Sequence, residues 1–597
     1  MMKKIYKNYI VLSVIMLLWA TSCNNDFMDR FPSTEISPEA YFKTVKDLEL
    51  YTNTYYRDGG VVPYFLDYVC DNYAAYADVH SNNNLIRGSI SSETVSGWSD
   101  WGRLRSYNFF LDNVHKVSGD PSEIAHYIGL TRLLRAEWYY TQVKWYNDLP
   151  WYSTALSDTD EELLYKGRDP RTLVVDSIMA DLDYAVENMS EEMGNRTQFS
   201  KWYALAMQAR ICLHEGTFRK YHDELNLQNT ASLYLEKAVK AASQIMQSGK
   251  FSIDKRGGKE QAYRNVFTSM DLSGSPEMIL YKDFDLTEQI RHEAGKSSFS
   301  FVCNFSRSLM ESYEYLTEEG KAIPFTKVDG YQTKGFLDVF VNRDPRFSQT
   351  FMYPGYIKPG DSEPFRPNLN LGGYPCIKFT AKEADPQCDF YTDQPVSRYA
   401  EILLIYAEAK AELGELTQDD MDRTINEIRS RVEMPKIIIS EIMNDSNLNE
   451  QYPGIIDKAL LQIRRERRIE LVGENFRWDD LMRWKAGHLV EQVQQGIYIK
   501  DFGLFDFTGD GIPEIGVFKN EASNTVPETE RGGYTFYYLE NKSGNLNTFS
   551  LSNENNGYII MNGEIGTRKF EQPKYYYWPI PQMQRVLNPN LEETIFW

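Results

Sequence analysis

The residues with the clearest chemistry lie in Asp506-Phe-Thr-Gly-Asp-Gly-Ile-Pro-Glu514. Oxygen donors alternate around a glycine turn: Asp506, Thr508 and Asp510, then the carbonyl of Ile512 and the carboxylate of Glu514. Calcium takes roughly 6–8 oxygen ligands, so this is a candidate loop for one structural Ca2+. An EF-hand would put a bidentate glutamate at the twelfth position, which is missing, and a plain Asp-Gly turn explains half of the pattern. A second cluster runs Ile463-Arg-Arg-Glu-Arg-Arg-Ile-Glu-Leu471, followed by Phe476-Arg-Trp-Asp-Asp-Leu-Met-Arg-Trp484. So many arginines could hold a polyanion. The spacing favours a helix instead, its arginines paired internally with Glu466 and Glu470 and stacked on Trp478 and Trp484. The seven histidines show no paired metal-helix spacing, and no nucleophile elbow, phosphate loop or dinucleotide fingerprint occurs. These absences point away from an enzyme, although 85 acidic residues leave a glycosidase pair open.

A third kind of chemistry sits at the start. Met1-Met-Lys-Lys-Ile-Tyr-Lys precedes an apolar run from Tyr9 to Ala20, then Thr21-Ser-Cys23. This reads as a secretory signal over 1–22, too short for a bilayer span of ~20 apolar residues. The cysteine after small residues resembles a bacterial lipobox, which makes Cys23 the acylated first residue of an exported lipoprotein. An ordinary signal cut near Ser22 is the alternative. Stable anchoring takes more than one acyl chain.

Composition narrows the partners. The net charge is −21 and the mean hydropathy −0.50. Such acidity argues against nucleic acid and polyanionic ligands unless a basic pocket exists. Aromatics make up 14% of the chain, with 41 Tyr, 31 Phe and 11 Trp. Some must be core, but tyrosine and tryptophan also suit sugar recognition, where rings stack on C–H faces. The six cysteines are thinly spread, which is neither a disulfide framework nor a zinc site; only Cys376 and Cys388 could pair across a loop.

Helical periodicity positions these groups. It predicts helices over 38–56, 101–117, 123–146, 173–188, 201–215, 231–247, 396–413, 418–432 and 455–471. Between them, 57–98, 251–392 and 496–577 are irregular and rich in Gly, Asn, Pro and aromatics. The expected fold is mainly α, a tetratricopeptide-like scaffold of helical pairs with long loop-rich insertions carrying a few short strands. A lipidated tether (23–37) would lead into a single domain over 38–597. Its scaffold would lie mainly in 38–56, 101–250 and 396–490, its ligand region in 57–100 and 251–395, and an irregular C-terminal region in 496–597.

Several segments together resemble the SusD-like (RagB/SusD) outer-membrane lipoproteins. They are Cys23-Asn-Asn-Asp-Phe-Met-Asp-Arg-Phe-Pro, Leu134-Arg-Ala-Glu-Trp-Tyr-Tyr, and Trp145-Tyr-Asn-Asp-Leu-Pro, where Asn147 replaces the usual glycine. Asp344-Pro-Arg346, Tyr399-Ala-Glu-Ile-Leu-Leu-Ile-Tyr-Ala-Glu-Ala, Asn426-Glu-Ile-Arg-Ser-Arg, Glu466-Arg-Arg-Ile-Glu-Leu, Arg477-Trp-Asp-Asp-Leu, Pro579-Ile-Pro and Asn588-Pro-Asn complete the series. The resemblance implies a helical scaffold, a cell-surface position as the lid of a SusC-like TonB-dependent importer, glycan capture or sometimes peptide capture, and no catalysis. These motifs belong mainly to the scaffold, so the resemblance transfers no ligand residue.

The expected function is therefore surface capture of an oligosaccharide or polysaccharide for delivery to an importer. Peptide capture on the same scaffold and a secreted glycosidase are the alternatives. Candidate ligand residues are Asn83, Arg87 and Trp98 in the irregular stretch before Trp101, with Phe301 and Tyr331 from the middle region. Trp98 stands in Ser-Gly-Trp-Ser, a polar setting where a core tryptophan is less expected.

Overall fold

The computed structural model describes residues 41–57, 69–74, 85–95, 97–98, 100–192, 194–292, 304–382 and 391–597. Cys23, Asn83, Phe301 and Cys388 lie outside these residues.

Helices dominate the first half. Helix α1 (Val45–Thr52) opens with a capping box between Thr44 and Asp47. After α2 (Trp101–Asn113), helix α3 (Pro121–Tyr146) starts with Pro121 at its first position and Asp120 accepting from the Ser122 N–H at 2.8 Å. It ends at Asn147, whose φ of 66° is the left-handed geometry that suits a glycine and that asparagine tolerates. Helix α3 packs on α4 (Arg171–Asn188), and α5 (Lys201–Tyr221) on α6 (Ala231–Gln247), so each pair joins sequence neighbours. The short α7 (Ala262–Thr268) follows. Helix α8 (Tyr399–Glu412) lies against α5, α6 and α9 (Lys458–Glu470). It is apolar nearly all round, as a helix buried on every side requires, and α10 (Arg477–Arg483) rests on α5. The helix expected over 418–432 is broken: Thr424 leaves helical geometry (φ −121°, ψ −89°) between helices Gln418–Arg423 and Ile425–Ser430.

The strands are short. Strand β1 (Met278–Lys282) pairs antiparallel with β4 (Gln394–Arg398), and β2 (Tyr315–Leu316) with β3 (Ala322–Ile323). Pro395 is tolerated in β4 because a two-stranded ladder leaves one edge of each strand unpaired. The C-terminal region expected to be irregular holds two three-stranded sheets. One runs β5 (Tyr498–Ile499), β10 (Gly557–Met561), β9 (Phe549–Leu551); the other runs β6 (Gly503–Phe505), β7 (Ile515–Phe518), β8 (Thr535–Tyr538), with β7 and β8 parallel. Runs of two to five residues between Asn/Gly turns are too brief for alternation to show. The fold is mainly α with small sheets.

Among the described residues, beside two small clusters around Phe42 and Phe110 and around Met352 and Ile377, two large apolar cores result. One fills the helical half around Leu133, Tyr139, Val175, Leu205 and Leu404. The other, around Tyr263, Phe305, Phe351, Trp478 and Tyr576, lies under the loops and C-terminal strands. Trp145 and Trp578 touch both, with ring centroids 4.0 Å apart.

A lattice of buried ion pairs is built on α9. Arg464 reaches Glu412 (3.2 Å), Arg465 Glu314 (2.6 Å), Arg467 Asp480 (2.8 Å) and Arg468 Asp71 (3.1 Å). Glu470 accepts from Arg398 (2.7 Å), Arg431 (2.7 Å) and Arg346 (3.1 Å). The expectation that the α9 arginines pair internally is thus corrected: most of their carboxylate partners come from other elements, because α9 is buried on all sides and each guanidinium meets a different neighbour. Stacking on Trp484 does occur, with Arg464 4.4 Å and Arg483 4.5 Å from the ring centroid.

Candidate ligand-binding site

A cavity of about 1150 Å³ opens where the helical hairpins meet the β1–β4 ladder. Ligand sites typically measure about 300–1,000 Å³, so this cavity stands at the top of that range. One wall is the turn after α1 (Tyr55, Tyr56) and the start of α2 (Gly97, Asp100, Arg103). Helices α3 and α5 supply a second wall, from Leu134 to Lys144 and from Tyr203 to His214. The ladder supplies Leu280 to Phe284 and Thr392 to Arg398, and the start of α10 closes the remaining side with Phe476, Asp479 and Asp480.

The lining is aromatic and polar. Tyr56 and Phe199 stack with centroids 4.6 Å apart, both half-buried, so they present part of their faces. Arg210 lies 5.1 Å from the Phe476 ring centroid. Most charges neutralise one another: Arg210–Glu401 (2.6 Å), Lys144–Asp479 (2.5 Å), Arg398–Glu474 (2.8 Å), Arg467–Asp480 (2.8 Å) and Arg483–Asp480 (2.9 Å). Two carboxyls are held differently. Burial pushes Asp393 up to about 7, against the opposing N–H bonds from Leu272 (2.8 Å) and Phe284 (3.1 Å). Burial also raises Glu137, which accepts from the Tyr203 hydroxyl at 2.6 Å.

Five lining residues carry polar atoms that are closed to solvent and have no hydrogen-bond partner in the protein. They are Tyr55 (Oη), Gln394 (both Nε2 and Oε1), Ser397 (Oγ), Trp138 (Nε1) and Arg467 (Nη1). A buried polar group without a hydrogen bond costs about 1–3 kcal/mol, and these atoms lie behind the cavity surface and not on it.

The residues expected from sequence fall elsewhere. Trp98 is 7% exposed, its ring set edge-on to Tyr146 (4.9 Å) and tilted to Trp101 (5.5 Å). A sugar platform needs an open face, and Trp98 is instead a core residue of the helical half; its polar neighbours in sequence hid this. Arg87 spends its guanidinium on Glu564 at 2.7 Å, tying that loop to the C-terminal region. Tyr331 is half-buried, packs edge-on to Phe325 (6.1 Å), and its carbonyl accepts from Arg307 at 2.7 Å. None of the three lines the cavity. Asp506, Asp510 and Glu514 do converge, with oxygens within 4.8 Å of one another. Loop donors already serve them: Gly509 and Gly511 N–H groups reach Asp506 (2.6 and 2.8 Å), Ile512 N–H reaches Asp510 (2.8 Å), and Thr508 donates to Glu514 through both N–H and hydroxyl. The Ile512 side chain is exposed. No helix among the described residues is long and apolar enough to cross a membrane.

Sequence reading did not anticipate that Gln394, Ser397 and Trp138 would line this cavity. Trp138 reads as one more apolar position of α3. The available signal was Asp393-Gln394, polar and immediately ahead of a long apolar helix.

Comparison with known proteins fits this architecture. The model of the SusD family matches residues 275–597, more than half of the chain, and the chain belongs to that family. It is 24% identical to SusD-like protein P2 of Formosa agariphila over 503 residues, 81% of this chain and 92% of that protein. A SusD-like carbohydrate binding protein from Bacteroides fragilis superposes with a TM-score of 0.65 at 21% identity, covering 92% of this chain and 99% of its own. A laminarin binding SusD-like protein gives 0.52 at 17% identity, covering 93% and 100%.

Proposed function

We propose that this protein is a cell-surface lipoprotein that captures an oligosaccharide or polysaccharide and passes it to a SusC-like TonB-dependent importer in the outer membrane, without catalysing a reaction. Membership of the SusD family supports the reading, as does the carbohydrate binding named for the similar protein from B. fragilis. The observation that carries it is the cavity of about 1150 Å³, lined by half-buried rings such as Tyr56 and Phe199 that offer stacking faces to a sugar. Anchoring is assigned to acyl chains on Cys23. A glycan array probed with the soluble body tests capture, and co-purification with a co-expressed importer tests delivery. Retention of peptides with no glycan bound would transfer the reading to peptide capture, and new reducing ends on incubated glycans would make the protein a glycosidase.

The loop carrying Asp506, Thr508, Asp510, Ile512 and Glu514 is proposed to hold one Ca2+ as a staple between β6 and β7. A site with a Kd of about 10⁻⁴ M would add roughly 1.4 kcal/mol of stability at millimolar calcium. The melting temperature is expected to rise accordingly over that in chelator, and superimposable curves would dismiss the ion.

A further inference from the structure

Three aromatic rings stand in single file on the C-terminal sheet. Tyr534, Phe536 and Tyr538 alternate along β8, which puts all three on one face of the strand. Their ring centroids step 5.8 Å from Tyr534 to Phe536 and 6.2 Å from Phe536 to Tyr538, and the last two ring planes lie 12° apart. Strand β8 is an edge of its sheet, and its two faces meet different surroundings. On the opposite face Tyr537 packs on the core under the C-terminal strands, beside its register partner Val517 of β7. Tyr534, Phe536 and Tyr538 pack against none of the apolar clusters among the described residues, and each is only half-buried. Rings that add to no core and keep part of their surface open are available to a ligand.

The neighbours hold the file in place. Gly516 of β7 is the register partner of Phe536, and a Cβ there would come within 2.5 Å of a Phe536 ring carbon. The missing side chain lets the ring lean across β7, where it meets Phe518 at 6.0 Å. Covering a strand glycine explains Phe536 but neither tyrosine. The Tyr538 hydroxyl accepts from the Asn524 amide at 3.0 Å, and the Asn524 carbonyl accepts from the Val526 N–H at 2.9 Å. The ring is thereby fixed and its hydroxyl hydrogen is left to donate. Charge near the file is matched: Lys519 faces Glu540 at 3.6 Å and Lys542 faces Glu521 at 3.0 Å, while Arg531 donates to the carbonyls of Val526 and Asn524. With Glu528 and Glu530 exposed on the turn before Tyr534, residues 519–542 carry three cations against four carboxylates. That balance repels a polyanion and leaves an uncharged ligand indifferent.

Resting on the glycan-capture reading above for the class of ligand, we propose that Tyr534, Phe536 and Tyr538 form a second glycan contact, on which an extended, uncharged polysaccharide chain lies along β8 with its sugar rings stacked on the aromatic ones. None of the three lines the cavity. A file one ring wide suits a linear occupant, whereas a stable protein partner needs a patch of about 800 Å². The step between centroids is comparable to that between sugar units of an extended chain. Two contacts on one polymer act as linked sites, so the file retains a long chain without altering the cavity.

The test uses the soluble full body in native gels cast with polysaccharide, where binding slows migration. Starch, β-glucan, galactomannan and xylan are the uncharged probes, polygalacturonate and alginate the acidic ones. At least one uncharged polymer is expected to slow the parent protein, at low and high salt alike. Tyr534→Ala with Tyr538→Ala is expected to raise its dissociation constant about tenfold or more, and Tyr534→Phe with Tyr538→Phe, which keeps both rings, to leave it nearly unchanged. Unslowed migration that follows a fall in melting temperature makes the file structural and overturns the proposal. Parent-like binding by the alanine pair overturns it and leaves glycan capture standing. Equal loss in the phenylalanine pair overturns it too, since hydroxyls and not rings would then hold the chain. Preference for an acidic polymer, weakening with salt, and binding of short oligosaccharides without any polymer, read by calorimetry, are likewise against it. If neither polymer nor oligosaccharide binds, glycan capture and this proposal fall together.

Discussion

The arginine lattice on α9 and the cavity beneath β4 are both buried and both polar, yet they settle their polar groups in opposite ways. In the lattice each charge meets its opposite. Burial pushes Glu470 up, but the guanidiniums of Arg431, Arg398 and Arg346 outweigh it and hold the carboxyl at about 2. Glu314 and Asp71 end at about 2 for the same reason, between Arg429 and Arg465 and between Arg468 and Arg477. In the cavity, burial wins and Asp393 is left near 7, while Gln394, Ser397 and Trp138 keep unpaired atoms. The difference lies in charge and not in hydrogen-bond completeness, because Arg431 Nε, Arg464 Nε and Arg467 Nη1 in the lattice also lack a partner. Where opposite charges meet, the carboxylates stay ionised and tie elements together; where none is near, burial leaves the carboxyl near neutrality.

The sharpest way to break this contrast is Glu470→Gln. It leaves Arg346, Arg398 and Arg431 buried with less countercharge, and removing one side of a buried pair costs about 3–5 kcal/mol. The denaturation midpoint is expected to fall by that much, or the variant to be recovered only as aggregate. A midpoint equal to the parent's would mean that the lattice is not structural. Trp98→Ala probes the helical core and is expected to lose about 3–5 kcal/mol as well, with glycan affinity unchanged in whatever fraction stays folded. A stable variant with lost affinity would return Trp98 to the ligand site.

Acid separates the two regions by sign. Lattice carboxylates with lowered values stabilise the fold above their ordinary pKa, and this is lost as the pH falls from about 4.5 towards 2. Asp393, with a raised value, acts the other way: its contribution is fully present below its ordinary 3.8 and is lost as the pH rises towards 7. Asp393→Asn is therefore expected to remove a small downward slope of melting temperature between pH 4 and 7 and to leave the acid limb untouched. An unchanged slope would show that Asp393 ionises normally. Gln394→Leu sits at the small end: replacing an unsatisfied amide by an apolar group of similar shape is expected to leave stability equal or slightly higher. A loss of more than about 1 kcal/mol would show that the amide has an internal partner.

The sequence marked the residues of the lattice but not their pairing across elements, and it marked nothing of the cavity, for a physical reason. The segments behind the family resemblance supply the paired residues: Arg135 is bidentate to Asp181 (2.7 and 2.8 Å), Asp344 to Arg346, and Arg429, Arg431, Glu466 and Glu470 meet in one cluster. Helices α3 to α6 were readable from their 3.6-residue stripes, and α6 begins and ends where the period does. A cavity is a property of several elements at once. Trp138, Ser397 and Gln394 come from two elements more than 250 residues apart, and nothing local records that their polar atoms lack partners. Trp98 misled for the same reason: its neighbours in sequence are polar, its neighbours in space are Trp101 and Tyr146.

Strand β4 is five residues long and joins both regions, with Gln394 at one end in the cavity wall and Arg398 at the other in the lattice. Such a strand spans only about 17 Å. A lineage could therefore reshape the cavity wall by exchanging residues at one end of the strand while the other stays fixed as its keel.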